Sequence, residues 1–211
     1  MKRRKVRGAG RPDTRARGQG LVEFAVLIPV FLVLLLSMLD FGFAYNHNLS
    51  LEYATREGAR TGSALAAGNS TLPCDEVDDY VMAAVQRVLK APGSAVILAN
   101  IGVVSIYKAT ATGAEIPGAV NTWTYAPGAG PTVDGMRLDF VAGTRGWSAC
   151  DRSNAMPNPD SIGVSIGYTY HFITPLPSAL ALVGGRGVAT LPMSDRTVMS
   201  LNPTVAEPPG L

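Results

Sequence analysis

The sequence has little charge, and one stretch of it has none. Charged residues make up 16% of the chain, and between Phe24 and Leu39 there is no charged residue and only one polar side chain, Ser37. With its apolar flanks the stretch covers residues 21–45, and about 20 apolar residues are enough for a helix to cross a bilayer. A surface helix of a soluble protein would show a polar face. None appears before Asn46, so the stretch predicts a membrane-spanning helix.

Residue types that carry catalysis or bind metals are also scarce. There are two histidines, His47 and His171, and the sequence contains no phosphate-binding loop, no metal-binding cluster and no GxSxG turn. Isolated histidines are usually structural or exposed rather than catalytic. We therefore predict that the protein is not an enzyme and has no catalytic residue, metal site, cofactor or small-molecule substrate.

The charges are distributed unevenly along the chain. Residues 1–18 carry eight basic residues and one acidic residue, whereas residues 19–211 carry ten basic and fifteen acidic residues. A basic segment could bind nucleic acid, but one directly before a first membrane helix holds that end in the cytoplasm. We predict a basic cytoplasmic leader at residues 1–18, a single-pass topology with the rest of the chain outside, and no nucleic-acid partner.

A cleavable secretory signal is the main alternative to a membrane anchor. It would use the same basic and apolar regions and a small-x-small cleavage site at residues 42–44, releasing a soluble domain after Ala44. The apolar region is longer than usual for such a signal, contains Glu23 and Pro29, and continues as a helical pattern through the cleavage site. The anchored form is therefore favoured, and a periplasmic binding module on the same anchor is a further alternative.

The helical pattern extends well beyond the apolar stretch. Leu49, Tyr53, Arg56 and Arg60 continue the spacing of a helix to about residue 65 or 66, and Gly68 ends it. We predict one long helix at residues 19–67, with an inner half embedded in the membrane and an amphipathic outer half.

Residues 68–211 predict an extracytoplasmic α+β domain with one further helix and an antiparallel β-sheet. The helix is expected at residues 75–90, where an apolar stripe follows an acidic first turn; the acidic spacing lacks the pattern of a calcium-binding EF-hand loop. Alternating, β-branched stretches predict strands at residues 95–107, 121–125, 136–142, 161–173 and 188–201. Residues 176–185 predict a short buried or interfacial helical turn, and the tail after Asn202 a loose segment.

The two cysteines, Cys74 and Cys150, both fall in the domain predicted to lie outside the membrane, where disulfides persist. A disulfide is favoured over two free thiols. It would close a loop of about 75 residues and contribute about 4 kcal/mol in the chain-entropy treatment.

The residues at the start of the long helix carry a resemblance to a known family. Gly18 is followed by four residues and then by Glu23 and Phe24, an order that resembles the processing site of type IV prepilins of the Tad (Flp) class. The stretch 18–60 as a whole resembles the TadE-like pseudopilin domain. The residues that carry this resemblance are Glu23, Phe24, Ala25, Pro29, Asp40, Gly42, Ala54, Glu57, Gly58, Ala59 and Arg60.

This resemblance implies a structural and assembly role. A prepilin peptidase would cut after Gly18 and make Gln19 the new N-terminus, and Glu23, Pro29 and Asp40 would belong to the assembly helix. The implied partners are the membrane, the peptidase, other pilins and the Tad inner-membrane assembly proteins. The implied location is the bacterial inner membrane, or the pilus after processing.

Overall fold

The computed structural model describes residues 15–69, 71–175 and 190–203. Its first element is a helix, α1, at Arg15–Leu65, whose 51 residues correspond to about 76 Å of helix. None of the side chains of residues 18–39 is buried, whereas from Asp40 onward one face of α1 is covered by the rest of the chain. We call residues 18–39 the stem, and the described residues that pack around residues 40–65 of α1 the head.

A short second helix lies beside α1 in the head. A 3-10 turn at Cys74–Glu76 leads into α2 at Val77–Leu89, which matches the predicted helix at residues 75–90. Acidic residues occupy its first turn and Arg87 its last, an arrangement that suits the helix dipole. Its apolar stripe is buried against α1 and the sheet.

The head is completed by a five-stranded antiparallel sheet in the order β5-β2-β1-β6-β7. Its strands are β1 at Ile101–Ala109, β2 at Glu115–Tyr125, β5 at Phe140–Arg145, β6 at Ser161–His171 and β7 at Thr190–Ser200. A separate two-stranded hairpin joins β3 at Thr132–Val133 to β4 at Met136–Arg137. The α+β architecture predicted from the sequence, with a long N-terminal helix before a small domain, is confirmed.

The outer half of α1 runs antiparallel to β6. The same face of α1 approaches Ile162 and Val164 near its C-terminal end and Tyr168 and Tyr170 nearer the stem. The alternating residues of β6 that face α1 are buried, as the period of two predicted: Ile162, Val164, Ile166, Tyr168 and Tyr170. The last residues of β6 therefore lie at the end of the head next to the stem.

Three predicted strands differ from the observed ones. Residues 95–100 form no strand, because Leu98–Asn100 is a 3-10 turn before β1. The second strand starts at Glu115 rather than at residue 121, across a stretch where the register with β1 shifts. The predicted strand at residues 136–142 is interrupted, since Asp139 donates its backbone N–H to the Gln86 side chain (2.6 Å) instead of to a neighbouring strand.

Some predicted segments lie outside the described residues. They are most of the basic leader at residues 1–14, the apolar run at residues 176–185, the first two residues of the predicted last strand, and the tail from residue 204 onward.

Candidate functional site: the long helix

The stem presents apolar side chains on all sides. The consecutive residues Val30, Phe31, Leu32 and Val33, which point to successive sides of the helix at 100° per residue, are between 41% and 62% exposed. Such a continuous exposed apolar surface indicates an interaction with lipid or protein. The 22 residues of the stem correspond to about 33 Å of helix, close to the ~30 Å thickness of a bilayer's hydrocarbon core. Among the described residues one helix is long and apolar enough to span a membrane, which suggests an anchor.

The predicted processing residues lie together at the start of the stem. Gly18 has no atom within 4 Å of the position that a Cβ would occupy, and Phe24 is exposed. Gln19 Nε2 donates a hydrogen bond to Glu23 Oε1 (3.1 Å), one helical turn further on. No contact with the head covers these four residues in the described structure, so a second protein could reach them.

Pro29 lies in the interior of α1, and the helix continues through it. Because proline lacks a backbone N–H, the carbonyl one turn earlier loses its helical partner there. Helices in membranes tolerate this loss when neighbouring groups satisfy the freed carbonyl.

Asp40 binds the head, although the sequence places it in the predicted span. It is buried, and its Oδ1 accepts hydrogen bonds from the backbone N–H of Ile173 (3.3 Å) and of Thr174 (3.2 Å). The Thr174 hydroxyl donates to Oδ2, and the Tyr170 hydroxyl donates to the Asp40 carbonyl (3.5 Å). The carboxylate therefore fixes the loop after β6 to the outer end of the stem.

His47 lies two turns further along the same face, and it is also buried. Its Nδ1 is 3.1 Å from the Tyr168 hydroxyl, and its ring stacks on Tyr168 and contacts Tyr170 edge-on. The Tyr168 hydroxyl oxygen also accepts a hydrogen bond from the Ile97 N–H (3.5 Å), so the hydroxyl proton remains available for a hydrogen bond to His47. Burial lowers the pKa of His47 below its usual 6.5. The histidine is thus a buried packing residue, and a structural role is one of the two, structural or exposed, that are usual for an isolated histidine.

Small residues bring the outer part of α1 close to its neighbours. A Cβ at Gly58 would lie 2.6 Å from Val85 Cγ2, and one at Gly62 would lie 2.5 Å from Ile162 Cδ1. Ala54 and Ala59 are fully buried. The glycine of the motif therefore permits the close approach of α1 to α2 and β6.

The polar residues of this part of α1 divide between the two faces. Glu57 pairs with Arg60 on the exposed face (2.8 Å), and this partner lowers the pKa of the carboxyl group. On the buried face, Thr55 donates to the carboxylate of Asp195 and lies 3.1 Å from the Thr197 hydroxyl. The contact with β7 was missed from the sequence, because the two residues are 140 positions apart.

The end of the head away from the stem is held by covalent and ionic contacts. Cys74 and Cys150 form a disulfide with their Cα atoms 5.0 Å apart. Nearby, Asp78 accepts bonds from the buried Arg152 (2.5 Å) and from Asn121 (2.6 Å), and the Arg152 guanidinium lies 4.6 Å from the ring centre of Trp147. These contacts join the start of α2 to β2 and to the loop before β6.

No group of three or more histidine, cysteine, aspartate or glutamate side chains that could hold a metal ion occurs among the described residues. The acidic start of α2 instead makes protein contacts, since Asp78 is already bound by Arg152 and Asn121.

An apolar stem that continues directly into the core helix of a small α+β head suggests a membrane-anchored protein. Comparison with protein families refines this class, because the model of the family described as TadE-like protein matches residues 18–60. The match covers the whole stem and most of the part of α1 that packs on the head. It suggests a component related to the Tad pilus. Comparisons with curated proteins and with solved structures each found no significant match.

Proposed function

We propose that this protein is a minor pilin or pseudopilin of a Tad (type IVb, Flp) pilus or of a related secretion apparatus. It acts as a non-enzymatic structural and assembly component, anchored by the stem in the bacterial inner membrane with its head outside. The family match at residues 18–60 is the observation that carries this proposal.

The form of α1 supports an assembly role for the stem. Its apolar side chains have no partner within the described structure, so they are available to lipid before assembly and to the helices of other pilins afterwards. Pro29 belongs to this surface. Asp40 contributes indirectly, because it fixes the head to the helix that enters the assembly.

Glu23 has a specific task in this proposal. Removal of residues 1–18 by a prepilin peptidase makes Gln19 a terminal ammonium group, which needs a counter-charge in apolar surroundings. Glu23 lies one turn away and already accepts a hydrogen bond from the Gln19 side chain. Its carboxylate can therefore pair with its own N-terminus or with that of the next subunit.

The proposal is tested with variants in a strain that lacks the wild-type copy. Gly18→Val should block cleavage, because a β-branched side chain replaces hydrogen where the peptidase must approach the backbone. Glu23→Gln and Glu23→Ala should insert into the membrane normally, since they remove a costly charge, but should impair piliation.

Precursor length, membrane fraction and piliation are scored separately, and Ser37→Ala serves as a matched control within the stem. Within the described part of the chain, the Ser37 hydroxyl bonds only the carbonyl of Val33 (2.7 Å), so its loss should leave all three readouts unchanged. Normal piliation by Glu23→Ala would show that the glutamate is only an interfacial residue.

A further inference from the structure

Apolar side chains are exposed at the end of the head that adjoins the stem. Ile173, just after β6, is 63% exposed, and Leu191, near the start of β7, is 39% exposed. Leu191 pairs with Tyr170, whose hydroxyl reaches the Asp40 carbonyl. Both side chains therefore lie near the point where the head begins on α1.

The distance along α1 places this end of the head at the height of a bilayer boundary. Asp40 is 22 residues beyond Gly18, or about 33 Å along the helix, against ~30 Å for the hydrocarbon core. The Ile173 N–H lies 3.3 Å from Asp40 Oδ1, so the loop is held at that height. A head that stood clear of the membrane would need a longer stem than this chain has.

The environment of Asp40 agrees with this position. A carboxylate at the edge of the hydrocarbon is costly unless protein surrounds it. Here the loop after β6 covers Asp40 and supplies donors to both of its oxygens. The covering loop must then itself lie at the depth of Asp40.

The side chains around this point suit a lipid interface. On α1, Phe41 and Phe43 are 74% and 44% exposed, and they continue the apolar surface of the stem to the height of Ile173. Within residues 171–175 and 190–194 the only ionisable side chain is His171. An apolar edge with so little charge matches the boundary between acyl chains and headgroups.

We propose that the end of the head formed by Ile173 and Leu191 inserts into the lipid interface of the bilayer that the stem crosses. This inference rests on the proposed membrane anchoring. Before assembly, the head is thus held against the membrane at two places, by the stem and by this apolar edge, which restricts its tilt relative to the bilayer.

The test places a polarity-sensitive fluorophore at single introduced cysteines in the full chain, reconstituted into phosphatidylethanolamine and phosphatidylglycerol vesicles with acyl-chain bromine as the quencher. Ile173→Cys and Leu191→Cys report on the edge. Met156→Cys is the matched control, since Met156 is as exposed (65%) but lies in the loop before β6, at the far end of the head. Leu34→Cys reports on the stem. Mass measurement confirms that the Cys74–Cys150 disulfide remains intact in each variant.

We expect quenching at Ile173 and Leu191 several-fold greater than at Met156 and smaller than at Leu34. Strong quenching at Leu34 with Ile173 and Leu191 equal to Met156 would overturn the inference and leave the anchor intact. No quenching at Leu34 would instead refute the anchor. Emission at Ile173 that follows the protein-to-lipid ratio and not the quencher would identify a protein neighbour as the occupant, which would also overturn the inference.

Discussion

Replacing Asp40 by leucine tests how the head is fixed to the stem. The substitution replaces the carboxylate by an apolar side chain of similar size and so removes the acceptor of the Ile173 N–H. A hydrogen bond to a charged group contributes about 1.5–3 kcal/mol, so the amide of Ile173 should open roughly 10- to 150-fold more often. Asp40→Asn keeps one acceptor oxygen and should show a much smaller change.

Hydrogen exchange measured by NMR in detergent micelles gives this quantity residue by residue. The amide of Val104, in the centre of the sheet, provides the internal reference, because it is distant from Asp40 and should exchange equally in all variants. Unchanged exchange at Ile173 in Asp40→Leu would refute the reasoning, since it would mean that the carboxylate does not hold this loop. Faster exchange at Val104 as well would indicate global destabilisation instead.

Three further predictions concern the stability of the head. In a denaturant titration, Gly58→Ala should lower the free energy of unfolding by about 0–2 kcal/mol, because an overpacking cost of ~1–3 kcal/mol exceeds the ~1 kcal/mol gained in helix propensity. Gly42→Ala is the control: there is open space around its Cβ, so it should show only the gain in helix propensity. The folded-state pKa of His47 is lower than its unfolded value, so its contribution to stability is complete above the unfolded pKa of 6.5 and is lost as the pH falls below it. Unfolding measured at a series of pH values should therefore show the free energy of unfolding decreasing below pH 6.5, and His47→Leu should abolish this decrease. Reducing Cys74–Cys150 should cost about 2–4 kcal/mol, and an equally stable Cys74→Ser/Cys150→Ser variant would contradict this.

Elements with a strong local pattern could be predicted from the sequence. The stem follows from an uninterrupted apolar run, α2 from an apolar stripe with charges suited to the helix dipole, and β6 from strict alternation. The disulfide was favoured because both cysteines fall in the domain predicted to lie outside the membrane. In each case the residues that determine the element are near one another in the chain, or a single pairing was available.

The features that the sequence did not predict depend on contacts between distant residues. The sequence indicated that Asp40 is a polar residue of the membrane span, because the loop that covers it is 133 positions away. The predicted strand at residues 136–142 is broken since Gln86 on α2 takes the backbone N–H of Asp139. Arg152 belongs to no recognisable sequence motif, although it is buried against Asp78 on α2. Partners of this kind cannot be predicted from the periodicity of a local stretch of sequence.

The most direct test of the proposed function is the mass of the mature N-terminus of the protein, isolated from the membranes of the cells that produce it. Processing as a pilin predicts a chain that begins at Gln19 with Glu23 intact. A chain that still begins at Met1 would contradict processing by a prepilin peptidase and would favour a permanently anchored module. A chain that begins at Tyr45 would contradict the account entirely, because it would have lost the stem.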